Sequence, residues 1–383
     1  MVVALSGLAF FLAGPACSKK SADIAWKADV EVVDGVKTVR NPETPRYGDF
    51  AFNLVEDLAI GDEKNEQGLF SGWVTLNVDD EGTIYACDSG IRRVQVFDKN
   101  GAFVRTLGRQ GQGPGEYSMP TDVHFDDAGD VYVNNGRSFV IFGRDGAFKR
   151  NLLTKTFLSA MTLGPGGTVV GTTQPNPRAE GGPKNELVQF GPDGEPRRTL
   201  ARYKAYGASK DQLLIHWYSG RVLFGRQSSE SLFFGFSLEY EIHVVDPGGR
   251  ELLRFSKAEK AQGITDEEKD LTRKNGIYAW FNADPKTADL GMPDHRPFFS
   301  RFLSDDKGRL YVVRFHPITA KGDPSSDIDV FSRDGIYLYR MTWPFMPHVI
   351  KGGFLYEFRQ DEDKGLTRII RHRITNWSDF KIE

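Results

Sequence analysis

The sequence predicts an all-β ring of repeated four-stranded sheets, a β-propeller, from two observations: one stretch reads as a complete blade, and that stretch recurs. Between Val74 and Pro120 lie four short runs rich in β-branched and aromatic residues: Val74–Val78, 83–87, Arg93–Phe97 and 102–107. Asp79-Asp80-Glu81-Gly82 separates the first two and Asp98-Lys99-Asn100-Gly101 the last two. Asp and Asn fold back onto their own backbone and Gly supplies a positive φ, so both clusters read as hairpin turns. Four antiparallel strands in so short a stretch make one blade.

The turn of the first hairpin returns as Asp126-Asp127-Ala128-Gly129 and as Asp305-Asp306-Lys307-Gly308, each followed by an apolar residue and Tyr two and three positions on. The third-strand signature at Val96 to Gly101 returns at Ile141 to Gly146, and more loosely at Gln189 to Gly194, Val244 to Gly249 and Val330 to Gly335. A sixth unit, starting at His348, carries three strands only. Its missing fourth strand stands at the other end of the chain. Gly61 precedes Asp79 by eighteen residues, as Gly108 precedes Asp126, so residues 52–60 occupy a fourth-strand position with no strands before them. Six blades, closed by this N-terminal strand completing the C-terminal blade, leave no open edge.

These repeats resemble the NHL-repeat family, and Gly108-Arg109-Gln110-Gly111-Gln112-Gly113-Pro114-Gly115-Glu116-Tyr117 resembles the inter-blade loop of bacterial six-bladed propeller lipoproteins. The resemblance is strongest over the first two blades. It implies the fold and says little of activity, because propellers host many unrelated functions.

A net charge of −3, with no basic run or basic helix face, gives no sign of a nucleic-acid partner. Residues 1–17 read as a signal peptide. Twelve uncharged, mostly apolar residues from Val2 to Ala13 are too few to span a bilayer and suit a signal core. Ala16-Cys17 then resembles a bacterial lipobox, which makes Cys17 the expected lipid attachment site. The resemblance implies a lipid-anchored protein of the cell envelope, at the outer membrane or periplasmic side, with secretion as the alternative. Cys87, the other cysteine, ends an apolar strand and reads as a packing residue.

Residues 18–46 read as a tether holding a short hairpin, since Asp34-Gly35 between Val30-Glu31-Val32-Val33 and Val36-Lys37-Thr38-Val39 is a strong two-residue turn signal. Its expected role is structural or spacing, and the propeller is assigned to 47–383. The glycines of the 108–117 loop invite a phosphate-binding reading. A strand follows them rather than a helix, so they are read as a tight blade-to-blade turn.

Along a blade the strands alternate in direction, which places every short Asp/Gly turn on one face of the ring. The long excursions, at 174–186, 202–212, 226–240, 256–297 and 314–326, are assigned to the other. The 256–297 insert, between blades 4 and 5, is expected to be partly helical, capped at Thr265-Asp266-Glu267-Glu268 and ended by Gly276. Elaboration confined to one rim marks that rim as the binding face. Asp88, Asn134, Asn135, Arg226, Arg314 and His316 are placed at second-strand ends there, with Arg92, Arg93 and Arg137 in the adjoining loops. Trp217, Trp280, Phe281, Phe298 and Phe299 lie in or beside the inserts. Arginines among aromatics suit anionic, sugar-like or peptide ligands, whereas Asp88 with Arg92 or Arg93 also reads as a structural pair and the aromatics as packing for the inserts.

Aligned on the turn glycines, His124 and His348 share a register on the innermost strands of blades 2 and 6, a pair that could contribute to a zinc or calcium site. In the resemblance, NHL-type amidating lyases bind zinc through channel histidines; here a third ligand is not evident. The repeated Asp pairs are explained locally by their turns. The expectation is therefore a membrane-tethered binding module for a protein, peptide or glycan, without cofactor. The alternative is a metal-dependent propeller enzyme of the lyase or lactonase type.

Overall fold

The computed structural model describes residues 26–61, 66–70, 73–176, 178–209, 212–275, 277–280, 290–323, 325–361 and 366–381. Six four-stranded antiparallel blades form the ring, with one α-helix among the described residues. Blade 1 runs Val74–Val78, Ile84–Asp88, Arg93–Phe97 and Phe103–Leu107; blade 2 runs Pro120–Phe125, Val131–Asn135, Ser138–Phe142 and Phe148–Leu153. In blade 6, Leu54–Ile60 pairs antiparallel with Leu366–Ile374 outside Phe354–Asp361 and Val349–Lys351, closing the ring as expected. Arg371 Nε to Asp57 Oδ1 at 2.8 Å and Arg359 Nη1 to Glu56 Oε2 at 2.8 Å reinforce that closure.

The repeated turns form through their first aspartate. Asp79 Oδ1 accepts from the N–H groups of Glu81 and Thr83 at 3.0 and 2.8 Å, and Asp126 Oδ1 from Ala128 and Asp130 at 3.0 and 2.9 Å. Gly82 and Gly129 then take φ of +87° and +80°, where a Cβ would be strained. The strands they join alternate inward faces into the gaps between blades. One such layer packs Tyr85, Val94, Val96, Val123, Val133 and Phe142, all under 3% exposed. Cys87 lies fully buried in this layer, and burial pushes its thiol pKa well up.

The 108–117 loop is filled by its own side chains. Tyr117 donates to Leu107 O at 2.5 Å and accepts from the Val94 N–H at 3.0 Å, while Glu116 Oε2 accepts from the Gly113 N–H at 2.8 Å. Only glycine fits at 108, where φ is +65° and a Cβ would meet Tyr117 Cε1 at 2.7 Å and Gly115 O at 2.8 Å.

One expectation is narrowed and one is revised. The hairpin Asp29–Val33 and Val36–Asn41 extends blade 4, with Val36–Asn41 parallel to the outermost strand Glu251–Lys257, so of its two expected roles the pairing gives it the structural one. Asn41 donates to Ser256 O at 3.0 Å and Gly335 O at 2.8 Å and accepts from the Tyr337 N–H at 2.8 Å, which pins blade 4 to blade 5. The 226–240 excursion does not exist. Val222–Ser228 and Ser231–Phe236 are the first two strands of blade 4, joined by a turn whose Ser228 and Ser231 hydroxyls bond each other at 2.8 Å. Serines replace the Asp-x-x-Gly signal there, and without it the first strand of the blade reads as a second strand.

The helix falls where its cap predicts, at Asp266–Asn275. Thr265 and Glu268 form a reciprocal capping box, with Thr265 N–H to Glu268 Oε2 at 2.8 Å and Glu268 N–H to Thr265 Oγ1 at 3.3 Å. Glu268 is fully buried and also accepts from Tyr218 Oη at 2.6 Å and from Arg296 Nη2 at 2.9 Å. One carboxylate thus joins the helix to the 3–4 and 4–5 connections. No described helix is long and apolar enough to cross a membrane.

Candidate functional site

Two cavities open at the two ends of the ring. On the short-turn face, a polar mouth of about 480 Å³ is lined by the turn carboxylates, His124, Arg144, Arg226 and Lys351. Each of its three cations is paired, Arg144 with Glu81, Arg226 with Asp127, and Lys351 Nζ with Asp80 Oδ1 at 2.6 Å, and carboxylates outnumber them seven to three. Arg226, expected on the loop-rich face, stands here instead. It belongs to the first strand of blade 4, near that strand's short turn, and also donates to Phe125 O at 3.0 Å.

On the loop-rich face, over blades 4, 5 and 6, lies a cavity of about 680 Å³. Trp217, Leu223, Phe299, Phe315, Met346 and Phe358 supply apolar wall, and Arg221, Arg301, Arg314, His316, Lys321 and His348 supply polar or cationic groups. Its size and mixed lining are those of a small-molecule or peptide pocket.

The polar floor rests on a buried network. Arg314 pairs with Glu259, whose other oxygen takes Lys257 Nζ at 2.7 Å; Lys257 in turn pairs with Asp329 Oδ2 at 2.6 Å. Tyr240 Oη donates to Asp329 at 2.7 Å and Tyr337 donates to its second oxygen. Burial presses the Asp329 carboxyl upward, but Lys257 and the two hydroxyls outweigh it and hold the group below the usual carboxylate range. Burial, then Asp329, raises Tyr240 well above an ordinary phenol.

Arg301 arises from a recurring irregularity. The innermost strands of blades 2, 3 and 5 each carry a register shift near their loop-face ends, between Pro120 and Asp122, Leu158 and Ala160, and Phe299 and Arg301. Half-buried Arg301 donates through Nη1 to Pro347 O at 3.1 Å. Burial lowers its pKa, with Asp122 opposing from beyond ion-pair distance.

His348 lines this same cavity, ring centroid 4.6 Å from Phe358, with its Nδ1 buried and unbonded. Burial, then the neighbouring Arg301 charge, lowers its pKa to about 4, so the ring is neutral at pH 7. His124 does not join it. Blade 6 turns through only two residues between Lys351 and Phe354, whereas blade 2 spends five between Phe125 and Val131. Counted from the last paired residue, His348 therefore lies level with Asp122 and Arg301, two positions along the strand from the level of His124. His124 lines the short-turn mouth, with Nδ1 3.4 Å from Thr162 Oγ1 and Nε2 3.7 Å from Asp122. No group of three or more His, Cys, Asp or Glu among the described residues could hold a metal ion.

The other expected residues divide. Arg314 and His316 reach the cavity. Asp88 is buried and closes its own turn, accepting from Gly90 and Ile91 N–H groups at 3.1 and 3.3 Å. Asn135 Oδ1 accepts from the Ser118 and Met119 N–H groups at 3.0 and 2.9 Å, and Arg137 donates to Lys155 O at 3.3 Å; both order loops of blade 2. Arg92 is exposed in a left-handed conformation, φ +56°, in the blade 1 turn, and Arg93 donates to Glu66 O at 3.1 Å. None of these five lines the cavity. Trp217 donates to His316 O at 2.8 Å, so it both packs an insert and lines the cavity. The backbone of Trp280 lies in a strand, Ile277–Trp280, paired with Gln212–His216; its side chain, Phe281 and Cys17 lie outside the described residues. Sequence reading missed Arg221, Arg301 and Met346. An arginine inside an apolar innermost strand was the signal available for Arg301.

Comparison with known proteins supports the fold. A family profile described as a 6-bladed beta-propeller matches residues 63–154, the part that forms blades 1 and 2. No curated protein sequence matches the chain. Among solved structures, a protein of Bacteroides fragilis NCTC 9343 inferred to be exported is 11% identical, covering 88% of this chain and 100% of its own, with a TM-score of 0.51. Virginiamycin B lyase from Staphylococcus aureus is 14% identical, covering 84% and 99%, with a TM-score of 0.42. At 11% identity the likeness to the Bacteroides fragilis protein is one of fold.

Proposed function

We propose that this protein is a binding module of the cell envelope, tethered to a membrane through Cys17 and holding its ligand in the cavity over blades 4 to 6. The observation that carries this reading is the contrast between the two ends of the ring. In the acidic short-turn mouth every cation of the lining is paired with a carboxylate, whereas the loop-face cavity sets Arg221, Arg301 and Lys321, without an ion pair among the described residues, beside apolar walls. The resemblance to NHL-type propeller lipoproteins and the lipobox-like Ala16-Cys17 support the tether.

Two experiments on the full-length chain test the proposal. Native mass spectrometry compares ligand retained by the wild type with that retained by Ser300→Trp, which fills the cavity from an exposed lining position. Ligand kept by the wild type and lost by the variant is the expected result; equal retention overturns the assignment. Separately, Cys17→Ala is expected to release the chain from the membrane fraction, and continued membrane association overturns the tether.

A further inference from the structure

We propose that the cavity takes an organic anion with an apolar body, a carboxylate-bearing amphiphile, and that Arg301 receives its charged end; this rests on the loop-face cavity being the binding site. Arg301 offers five N–H donors, of which the structure places one, on Pro347 O at 3.1 Å. Among the described residues no carboxylate stands within ion-pair distance of it, in contrast to Arg314, which Glu259 neutralises. A half-buried guanidinium without a counter-ion is costly to hold, and an entering carboxylate recovers that cost through a charge-assisted, bidentate contact.

The charge around Arg301 has the same sign. Arg221 and Lys321 line the cavity without an ion pair among the described residues, and the acid of the lining is Asp323. Three unmatched cations against one carboxylate leave a local excess of two positive charges, on a chain whose net charge is −3. An excess opposed to the sign of the whole molecule selects anions and steers them to this face.

The walls define the remainder of the ligand. Trp217, Leu223, Phe299, Met346 and Phe358 give apolar wall, and of the five lining serines Ser219, Ser237, Ser300 and Ser326 already bond the protein, so the hydroxyls of a glycan or the amides of a peptide would find few free partners. Such polar groups would be left unpaired on binding, whereas a hydrocarbon body loses nothing by entering. Met346 adds a flexible thioether that adapts to chain shape.

The test uses the full-length protein and three probes below their micellar concentrations: dodecanoate, dodecanol and dodecyltrimethylammonium, titrated by calorimetry. Dodecanoate is expected to bind at least about tenfold more tightly than the cation, with the alcohol between. Arg301→Gln is expected to reduce that preference to less than about threefold while leaving dodecanol binding in place. Ser300→Asp sets a competing carboxylate on the exposed lining and is expected to remove the preference without deleting a buried side chain, so the inference stays testable if Arg301→Gln does not fold. Equal binding of anion and cation, both blocked by Ser300→Trp, overturns the ligand class and leaves the site standing. Binding of no probe also overturns the class, while the site itself is judged by the retained-ligand comparison above.

Discussion

Lys257 and Asp329 form an ion pair with no exposure on either side, Nζ to Oδ2 at 2.6 Å, at the joint between blades 4 and 5. Through Glu259 the same ammonium supports Arg314 at the cavity floor, so ring integrity and site geometry share one polar network. Removing one member strands a buried charge.

Lys257→Met is accordingly expected to cost about 3–5 kcal/mol in urea unfolding, with the Lys257→Met/Asp329→Leu double variant recovering much of it. An additive loss in the double variant would contradict the coupling.

The Asp329 carboxyl sits below its ordinary value in the folded chain. A depressed acid stabilises the fold above its unfolded pKa of about 3.9 and loses that contribution as pH falls through the folded value. Urea midpoints should therefore drop below about pH 4, and less steeply in Asp329→Asn.

His348 works over a different window. Its folded pKa is lowered to about 4, so the unfolded chain binds the proton first as pH falls below about 6.5. Stability should decline between about pH 6.5 and 4, by roughly 1–3 kcal/mol for this group, and His348→Gln should flatten that decline. His216, also lowered to about 4 by burial, accounts for a further part that the variant leaves unchanged.

Asn41 satisfies two carbonyls and one N–H between blades 4 and 5. Asn41→Ala should cost about 2–4 kcal/mol, and amide exchange should quicken first in Val36–Asn41 and Tyr337–Trp343. Unchanged protection in both strands would show that the hairpin does not brace the ring.

Glu268 holds the insert helix by its cap and to the ring by Tyr218 and Arg296. Glu268→Ala should loosen Asp266–Asn275 and the 314–323 segment in hydrogen exchange while blades 1 and 2 keep wild-type protection.

Much of this was legible in the residues. The first Asp of each Asp-Asp-x-Gly turn acts locally, so the hairpins at Asp79, Asp126 and Asp305 announce themselves. The closing strand at Leu54–Ile60 followed from glycine spacing, and the helix from Thr265 and Glu268. Blade 4 was misread because Ser228 and Ser231 make its turn without Asp or Gly, which moved Arg226 to the wrong face. The two-residue turn of blade 6 shifted His348 away from the level of His124 and into the cavity. Arg301 owes its place to a strand irregularity, and the cavity to the packing of separate inserts; neither is a local property of sequence.

The most direct test of ligand binding at the loop-face cavity is hydrogen exchange on the full-length protein with and without an extract of its own envelope. Protection is expected at 217–223, 314–323 and 345–348, which border the loop-face cavity, with the turns at 79–82, 126–129 and 305–308 unaffected. Protection confined to those turns would place binding at the opposite mouth and contradict the loop-face assignment.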